Sequence, residues 1–434
     1  MNDEQIHKRV PVRRFPEFKN DGEWVKSVFS DVLDFLPNNT LSRADLNYDK
    51  GAVKNIHYGD VLIKFGETLD VKECRLPFIS DEKKAQKACQ GALKNGDVVI
   101  ADTAEDEVVG KCTELKNMTN EIVVSGLHTI PVRPNVFFAS SFLGFYLNSE
   151  SYRNQLKPLM QGIKVIALSK GALSTTKIVY PRNFEEQRKI ADCLSSMNDL
   201  ISVTKNKLEL LKNYKKALIK TLFPALGHSL PKFRLNNFAK DAEWKEYSLG
   251  EVFDIRNGYT PPKSNPTFWE KGSIPWFRLE DIRLNGRILS DSIQHITPEA
   301  IKAKGLFPAN SIIISTTATI GEHALIVVDA LANQQFTCLT KKTLFNKSLD
   351  MLFFYYYMFI VDEWCRENVN SGGLPIVCMQ NFKRLKISLP PNINEQKEIA
   401  ASISFLDVSI NALVDKILVL NICKNGLERL LFVR

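Results

Sequence analysis

Few residues of this chain have the types and spacing that carry out a reaction. The nearest catalytic string is Asn265-Pro266-Thr267-Phe268, which approaches the Asn-Pro-Pro-Phe type turn that holds a flipped adenine in DNA methyltransferases. It lacks the second proline and follows a Thr-Pro-Pro loop instead of a buried strand, so base methylation is not expected of it. No Gly-x-x-x-x-Gly-Lys phosphate loop is present, which excludes a P-loop ATPase motor. The eight cysteines (74, 89, 112, 193, 338, 365, 378 and 423) stand singly, with no Cys-x-x-Cys pair and no histidine cluster at zinc spacing. They read as reduced thiols of a cytoplasmic protein. A net charge of +8 is moderate for 434 residues, but six lysines and one acid, Glu209, lie between Lys205 and Lys220. That run suits either a solvated helix face or a polyanionic partner.

The elements that position such residues occur twice. Pro11, Arg14, Phe18, Asp21, Glu23, Trp24 and Val32 return 220 residues later as Pro231, Arg234, Phe238, Asp241, Glu243, Trp244 and Val252. Lys177, Ile178, Pro181, Asn183, Glu186, Gln187, Ile190 and Ala191 return 209 residues later as Lys386, Ile387, Pro390, Asn392, Glu395, Gln396, Ile399 and Ala400. The roughly 140 residues between these ends do not align by eye. One scaffold thus holds two divergent inserts.

Asn183 and Asn392 are good N-cap residues, each followed three positions later by Glu186 or Glu395. Beyond them apolar residues fall alternately four and three apart: Ile190, Leu194, Met197, Ile201, Leu208, Leu211, Leu218, Leu222, with Thr204 and Lys215 as polar exceptions. The second copy has Ile399, Ile403, Leu406, Ile410, Leu413, Ile417, Leu420, Leu427 and Leu431, with Lys424 the exception. This spacing predicts two helices of about 39 residues, each about 58 Å long, with coiled-coil seams that pair antiparallel. The expected arrangement is a rod with a domain at each end and an approximate two-fold axis. Two unrelated amphipathic helices, each docked on its own domain, are the alternative. The fold class is therefore α+β, with a first domain at 1–183, a first spacer helix at 184–224, a second domain at 225–392 and a second spacer helix at 393–434. Within the inserts, 98–101, 121–124 and 311–315 are β-rich, and 351–367 reads as a buried helix. The N-terminus MNDEQIHKRV does not look like a secretory signal, and the longest apolar run, Met351 to Val361, is too short to cross a bilayer.

The arrangement resembles the specificity subunit of type I restriction-modification systems. The repeated Pro-x-Asn-x-x-Glu-Gln-x-x-Ile-Ala start of the helices is similar to that family's spacer segments. The second insert resembles one of its target-recognition domains through Gly258-Tyr259-Thr260-Pro261, the run from Phe268 to Trp276, Ala332-Asn333-Gln334-Gln335-Phe336, and Ser371-Gly372-Gly373. The first resembles another class of that domain through Ile56-His57-Tyr58-Gly59-Asp60, the run from Ala101 to Asp106, and Ser125-Gly126-Leu127-His128.

The resemblance implies a DNA-binding, non-catalytic chain in which each domain reads half of a split, asymmetric target in the major groove while the helices set the gap. The implied partners are double-stranded DNA, two methyltransferase subunits docked on the spacer helices, and two motor-endonuclease subunits. No cofactor is expected in this chain, since S-adenosylmethionine, ATP and Mg would be used by those partners. Two alternatives stay open: a specificity chain of a combined restriction-methylation enzyme outside type I, and a coiled-coil interaction protein without a DNA target.

Base edges are read by Arg, Asn, Gln and acids, and phosphates by Lys, Ser and Thr. On that basis the candidates in the first domain are His57, Tyr58, Lys64, Thr103, Glu105, Asp106, His128 and Lys164. In the second they are Arg278, Asp281, Arg283, Thr316, Thr317, Thr319, Gln334 and Gln335, with Gly372 permitting close approach of the backbone. His57 and His128 are equally readable as structural histidines, and Asn333 as a turn former.

Overall fold

A computed structural model describes residues 9–370 and 373–433. The chain divides into two compact units, one formed by residues 1–205 with 415–434 and the other by 206–414. Each unit contains one insert and parts of both long helices, Phe184–Leu222 and Ile393–Leu431.

In each unit the repeated ends form one closing device. Strand Val25–Val28 pairs antiparallel with Lys177–Tyr180, and Lys245–Ser248 pairs likewise with Lys386–Leu389. Asn183 and Asn392 do cap the helices, their side-chain oxygens accepting the N–H groups of Glu185 and Asn394. The glutamates three residues on, however, do not complete a capping box. Glu186 accepts both guanidinium contacts of Arg14 at 2.6 Å and the indole N–H of Trp24 at 3.3 Å. Glu395 does the same for Arg234 at 2.8 Å and Trp244 at 3.1 Å. A buried carboxylate needs such partners, and here they tie the start of each unit to the start of its helix.

The inserts are far more alike in fold than in sequence. In the first, a five-stranded sheet runs in the order Leu33–Phe35, Thr129–Pro134, Val98–Ala101, Cys112–Lys116, Thr68–Asp70. In the second, the order is Phe253–Asn257, Phe336–Lys341, Ser311–Ser315, His323–Ile326, Ile288–Leu289. Every neighbouring pair is antiparallel except the last, which is parallel in both. A smaller sheet accompanies each, built on the parallel pairs Val53–Ile56 with Ile122–Ser125 and Trp276–Phe277 with Leu331–Ala332. The duplication therefore includes the inserts.

Aromatic and aliphatic side chains fill the space between sheet and helices. In the second unit Met351–Glu367 is buried along most of its length, as its sequence predicts, and packs with Phe253, Ile312, Leu339, Ile219 and the seam residues Leu222, Ile399 and Ile403. In the first unit Phe142, Phe145 and Tyr146 meet Ile190, Leu194, Leu431 and Phe432. Within this unit the beginning of one long helix thus packs with the end of the other, the antiparallel sense expected from the seams. Among the described residues no helix is long and apolar enough to cross a membrane.

Candidate nucleic-acid interface

Three loops and a hairpin gather at one end of the sheets in each unit, and they carry the sequence candidates. The first follows the parallel strand of the small sheet. In the first unit Val53–Ile56 leads through His57 into helix Tyr58–Ile63; in the second Ile274–Phe277 leads through Arg278 into helix Leu279–Asn285. His57 and Arg278 are the N-cap residues of these helices, and Asp60 and Asp281 occupy the third helical position in each.

The second loop follows the central strand: Asp102–Asp106 after Val98–Ala101, and Thr316–Gly321 after Ser311–Ser315. The third precedes the next strand: Gly126–His128 and Asn333–Gln335. Matching backbone hydrogen bonds join the second and third loops, Asp102 N–H to His128 C=O at 3.2 Å and Thr316 N–H to Gln335 C=O at 3.0 Å. Others join the first and third, Gly126 N–H to Ile56 C=O at 2.8 Å and Asn333 N–H to Phe277 C=O at 3.0 Å. The hairpin closes the set. Gln161 N–H bonds Ala167 C=O, Asn370 N–H bonds Ile376 C=O, and Leu168 and Val377 reach back to the carbonyls of Asp102 and Thr316.

In the first unit this convergence forms a polar and aromatic cluster. Tyr58 lies with its ring centroid 4.6 Å from His57 and 5.3 Å from His128. The His128 Nδ1 lies 3.4 Å from both Thr103 Oγ1 and Asp102 Oδ1, and the residue itself has φ +54°. A non-glycine residue in the left-handed region is held there by its surroundings, and such positions cluster at functional loops. The side chain of His128 is 47% exposed, and Glu105, Asp106 and Lys164 are exposed as well. Lys164 rides on the hairpin beside Gly162, whose φ of +123° and 1.9 Å clearance to the Val165 oxygen admit no Cβ. His57 is buried, and its Nδ1 accepts the Gly59 N–H at 3.2 Å. Burial, followed by the charge of Arg43, lowers its pKa, so it is a neutral capping group whose structural reading prevails.

Beside this cluster lies a basic group of which the sequence named only Lys64. Arg43 and Lys64 both pair with buried Asp60, at 2.8 and 3.0 Å. Burial works against the Asp60 charge, but the hydrogen bonds from Arg43 and Lys64 outweigh it and hold the carboxyl below its ordinary range. Lys64 and Arg75 flank the Tyr48 ring, each 5.5 Å from its centroid. Arg43, Tyr48 and Arg75 come from distant segments with no local signature.

In the second unit two candidates prove structural. Asp281 is fully buried, and its two oxygens accept the N–H groups of Arg278 at 2.6 Å and Ile293 at 2.7 Å, so it has no face for a base. Thr316 is buried with its hydroxyl 2.8 Å from that of Thr337. Arg278 is partly exposed, pairs with Glu280 at 2.8 Å and lies over the Trp276 ring. Arg283 and Gln334 are exposed, while Thr317, Thr319 and Gln335 are half-buried. Gln334 is bonded by the Thr260 hydroxyl, and Asn333 turns its side chain onto Gln335, receiving the Gln335 N–H at 3.1 Å as a turn former does. Ala318, in the Thr316–Gly321 loop, has φ +65°, a second non-glycine residue in the left-handed region among these loops. Gly372 lies outside the described residues.

The lysine run divides by position on the helix. Lys212 pairs with Glu209 in solvent and Lys220 with Glu363, whereas Lys215 is turned into the seam.

The family described as the type I restriction modification DNA specificity domain matches residues 22–213 and 241–419. The chain is 50% identical over 160 residues to the type I restriction enzyme EcoprrI specificity subunit of Escherichia coli, covering 37% of this chain and 39% of that one. It is 31% identical over 183 residues to the EcoR124I/EcoR124II specificity subunit of the same species, covering 40% and 43%. These matched stretches therefore span about two fifths of each relative. A putative MjaX specificity subunit of Methanocaldococcus jannaschii is 22% identical over 409 residues, covering 93% of this chain and 90% of that one. In fold, the chain is similar to the S subunit of a type I system from M. genitalium, with TM-score 0.54, 14% identity and coverage of 98% and 99%. A chain from work on complex assembly of the type I R-M system gives TM-score 0.61 at 17% identity, covering 94% and 97%. The duplicated frame, the repeated loop constellation and a match over most of the sequence place this chain in the type I restriction-modification DNA specificity family.

Proposed function

We propose that this chain is the non-catalytic sequence-reading subunit of a type I restriction-modification complex. Its two domains each read one half of an asymmetric split site in the major groove of double-stranded DNA. Two methyltransferase subunits dock on the long helices, and two motor-endonuclease subunits complete the complex. S-adenosylmethionine, ATP and Mg belong to those partners, and the setting is the cytoplasm.

The observation that carries this reading is the same loop constellation built twice on one strand order with different side chains. A duplex offers the same backbone at both halves of a split site but different base edges, so a shared frame with divergent tips is the complement it requires. In the first domain Tyr58, Thr103, Glu105, Asp106, His128 and Lys164 form the contacting set, with Arg43, Lys64 and Arg75 on phosphates. In the second it is Arg278, Arg283, Thr317, Thr319, Gln334, Gln335 and the segment around Gly372.

Methylome sequencing of the host with and without the coding sequence tests the reading. The expected result is a split motif, methylated at adenine on opposite strands, that disappears on deletion. An unchanged methylome, together with no motif enriched from a randomised duplex pool, would overturn it.

A further inference from the structure

The lysines that interrupt the two seams are equivalent to each other. Lys215 and Lys424 lie 209 residues apart, the same shift that relates the helices, and so do Asn198 and Asp407. In the second unit Lys215 meets Asp407 directly at 2.5 Å, and the Tyr356 hydroxyl donates to the other oxygen of Asp407 at 2.7 Å. In the first unit the helix residue is Asn198, which brings no charge. The carboxylate comes instead from the domain: Glu67 accepts Lys424 at 2.5 Å and the Asn198 amide at 2.8 Å. Lys215 and Lys424 are 14% and 12% exposed, so each needs a carboxylate close by; at Lys424 Glu67 is the near one, with Glu428 farther off at 3.7 Å.

Both pins connect to the DNA-facing loops. Glu67 stands between helix Tyr58–Ile63 and edge strand Thr68–Asp70, and its carbonyl accepts the Glu114 N–H at 2.9 Å. Tyr356 belongs to helix Met351–Glu367. The same helix carries Asp362, 2.6 Å from His323, and Arg366, which bonds the Gly321 carbonyl at 2.6 Å and thereby holds the Thr316–Gly321 loop. A lone polar layer in an apolar seam fixes register at some cost in stability.

We propose that Lys424 with Glu67 and Asn198, and Lys215 with Asp407 and Tyr356, are positioning residues that hold each domain's loops at a set pose on the helix ends. Glu67 replaces the carboxylate that the second copy keeps on its helix. The proposal rests on the DNA-reading function and adds that the pins determine how strictly the gap is kept.

The test uses the full chain in its purified complex and a pool of duplexes randomised across the whole site, retained and sequenced. Wild type retains a motif with one gap. Glu67→Gln should retain the same half-site bases with discrimination between adjacent gap lengths reduced about tenfold. Asn198→Asp in the Glu67→Gln background should restore the single gap, because it rebuilds the Asp407 arrangement. The charge-swapped pair Glu67→Lys with Lys424→Glu should keep it as well, and serves if the single variant does not fold. A single sharp gap in Glu67→Gln, or failure of both the rescue and the swap in proteins that melt as wild type does, overturns the pins and leaves the DNA reading standing. Wild type retaining no split motif removes the function and the pins together.

Discussion

Arg14 reaches across 172 residues of sequence to grip Glu186 through two 2.6 Å contacts, and the two side chains are 6% and 1% exposed. The second copy repeats the grip between Arg234 and Glu395. Removing one partner strands a buried charge, so Arg14→Ala should destabilise the first unit by about 3–5 kcal/mol. Urea unfolding followed by Trp fluorescence measures it. A loss under about 1 kcal/mol would mean that water replaces the guanidinium without penalty.

Arg278→Ala should weaken binding to the cognate duplex by about 1–3 kcal/mol and relax selection at one base pair. Lys64→Ala should instead weaken binding evenly across sequences and reduce the salt slope by about one. Fluorescence titrations at several salt concentrations separate these behaviours, and unchanged affinity in Arg278→Ala removes that residue from the interface. Asp281→Asn should lower the melting temperature without altering which bases are selected, since its oxygens serve only backbone N–H groups.

The contrast between Arg278 and Asp281 marks the limit of what the sequence conveys. Seam periodicity fixes the long helices because burial along a helix demands one apolar residue per turn. The closing strands and the Arg14–Glu186 grip leave a trace because each requires particular residues in both copies. The common strand order of the inserts leaves almost none, since a sheet face accepts any aliphatic residue and the two copies filled it differently, Val98-Val99-Ile100 against Ile312-Ile313-Ile314. An acid in the first turn of a helix, such as Asp281, reads as a base contact or as a partner of the N-cap backbone with equal ease, and only burial separates the two. For the same reason Thr316 looked available beside Thr317, and Glu186 looked like a capping-box residue.

Burial raises the pKa of Glu428 and Glu114 to about 7 in each case. For Glu428 the Lys424 charge opposes the shift; for Glu114 the N–H groups of Gly144 and Ser141 do. A carboxyl raised in the folded state binds its proton more tightly there than in the unfolded chain. These two groups therefore favour folding at low pH and lose that contribution as pH rises from the ordinary carboxylate range through about 7. Glu428→Gln should flatten that part of the profile, with a gain on the order of 1–3 kcal/mol at about pH 8. Thermal melts from about pH 5 to about pH 8 read the slope, and an identical slope in the variant would refute the assignment.

Gly258 lies where an added Cβ would sit 2.2 Å from the Ala332 oxygen and 2.4 Å from that of Asn333. Gly258→Ala must push the Asn333–Gln335 loop outward, at a cost of about 1–3 kcal/mol in stability. DNA affinity should fall with it. Gly286→Ala meets open space and serves as the control, since only its φ of +81° resists the substitution. Equal DNA affinity in the two variants would show that loop placement at Asn333 is unimportant.

Val25 pairs with Tyr180 and Val28 with Lys177, so the polypeptide enters and leaves the first insert side by side; Lys245 with Leu389 and Ser248 with Lys386 give the second the same doorway. Whatever lies beyond that threshold can diverge, lengthen or be traded for another module at the expense of two neighbouring peptide joints. Each insert is joined to its frame by one such four-residue ribbon, so a change of insert need not disturb the helices.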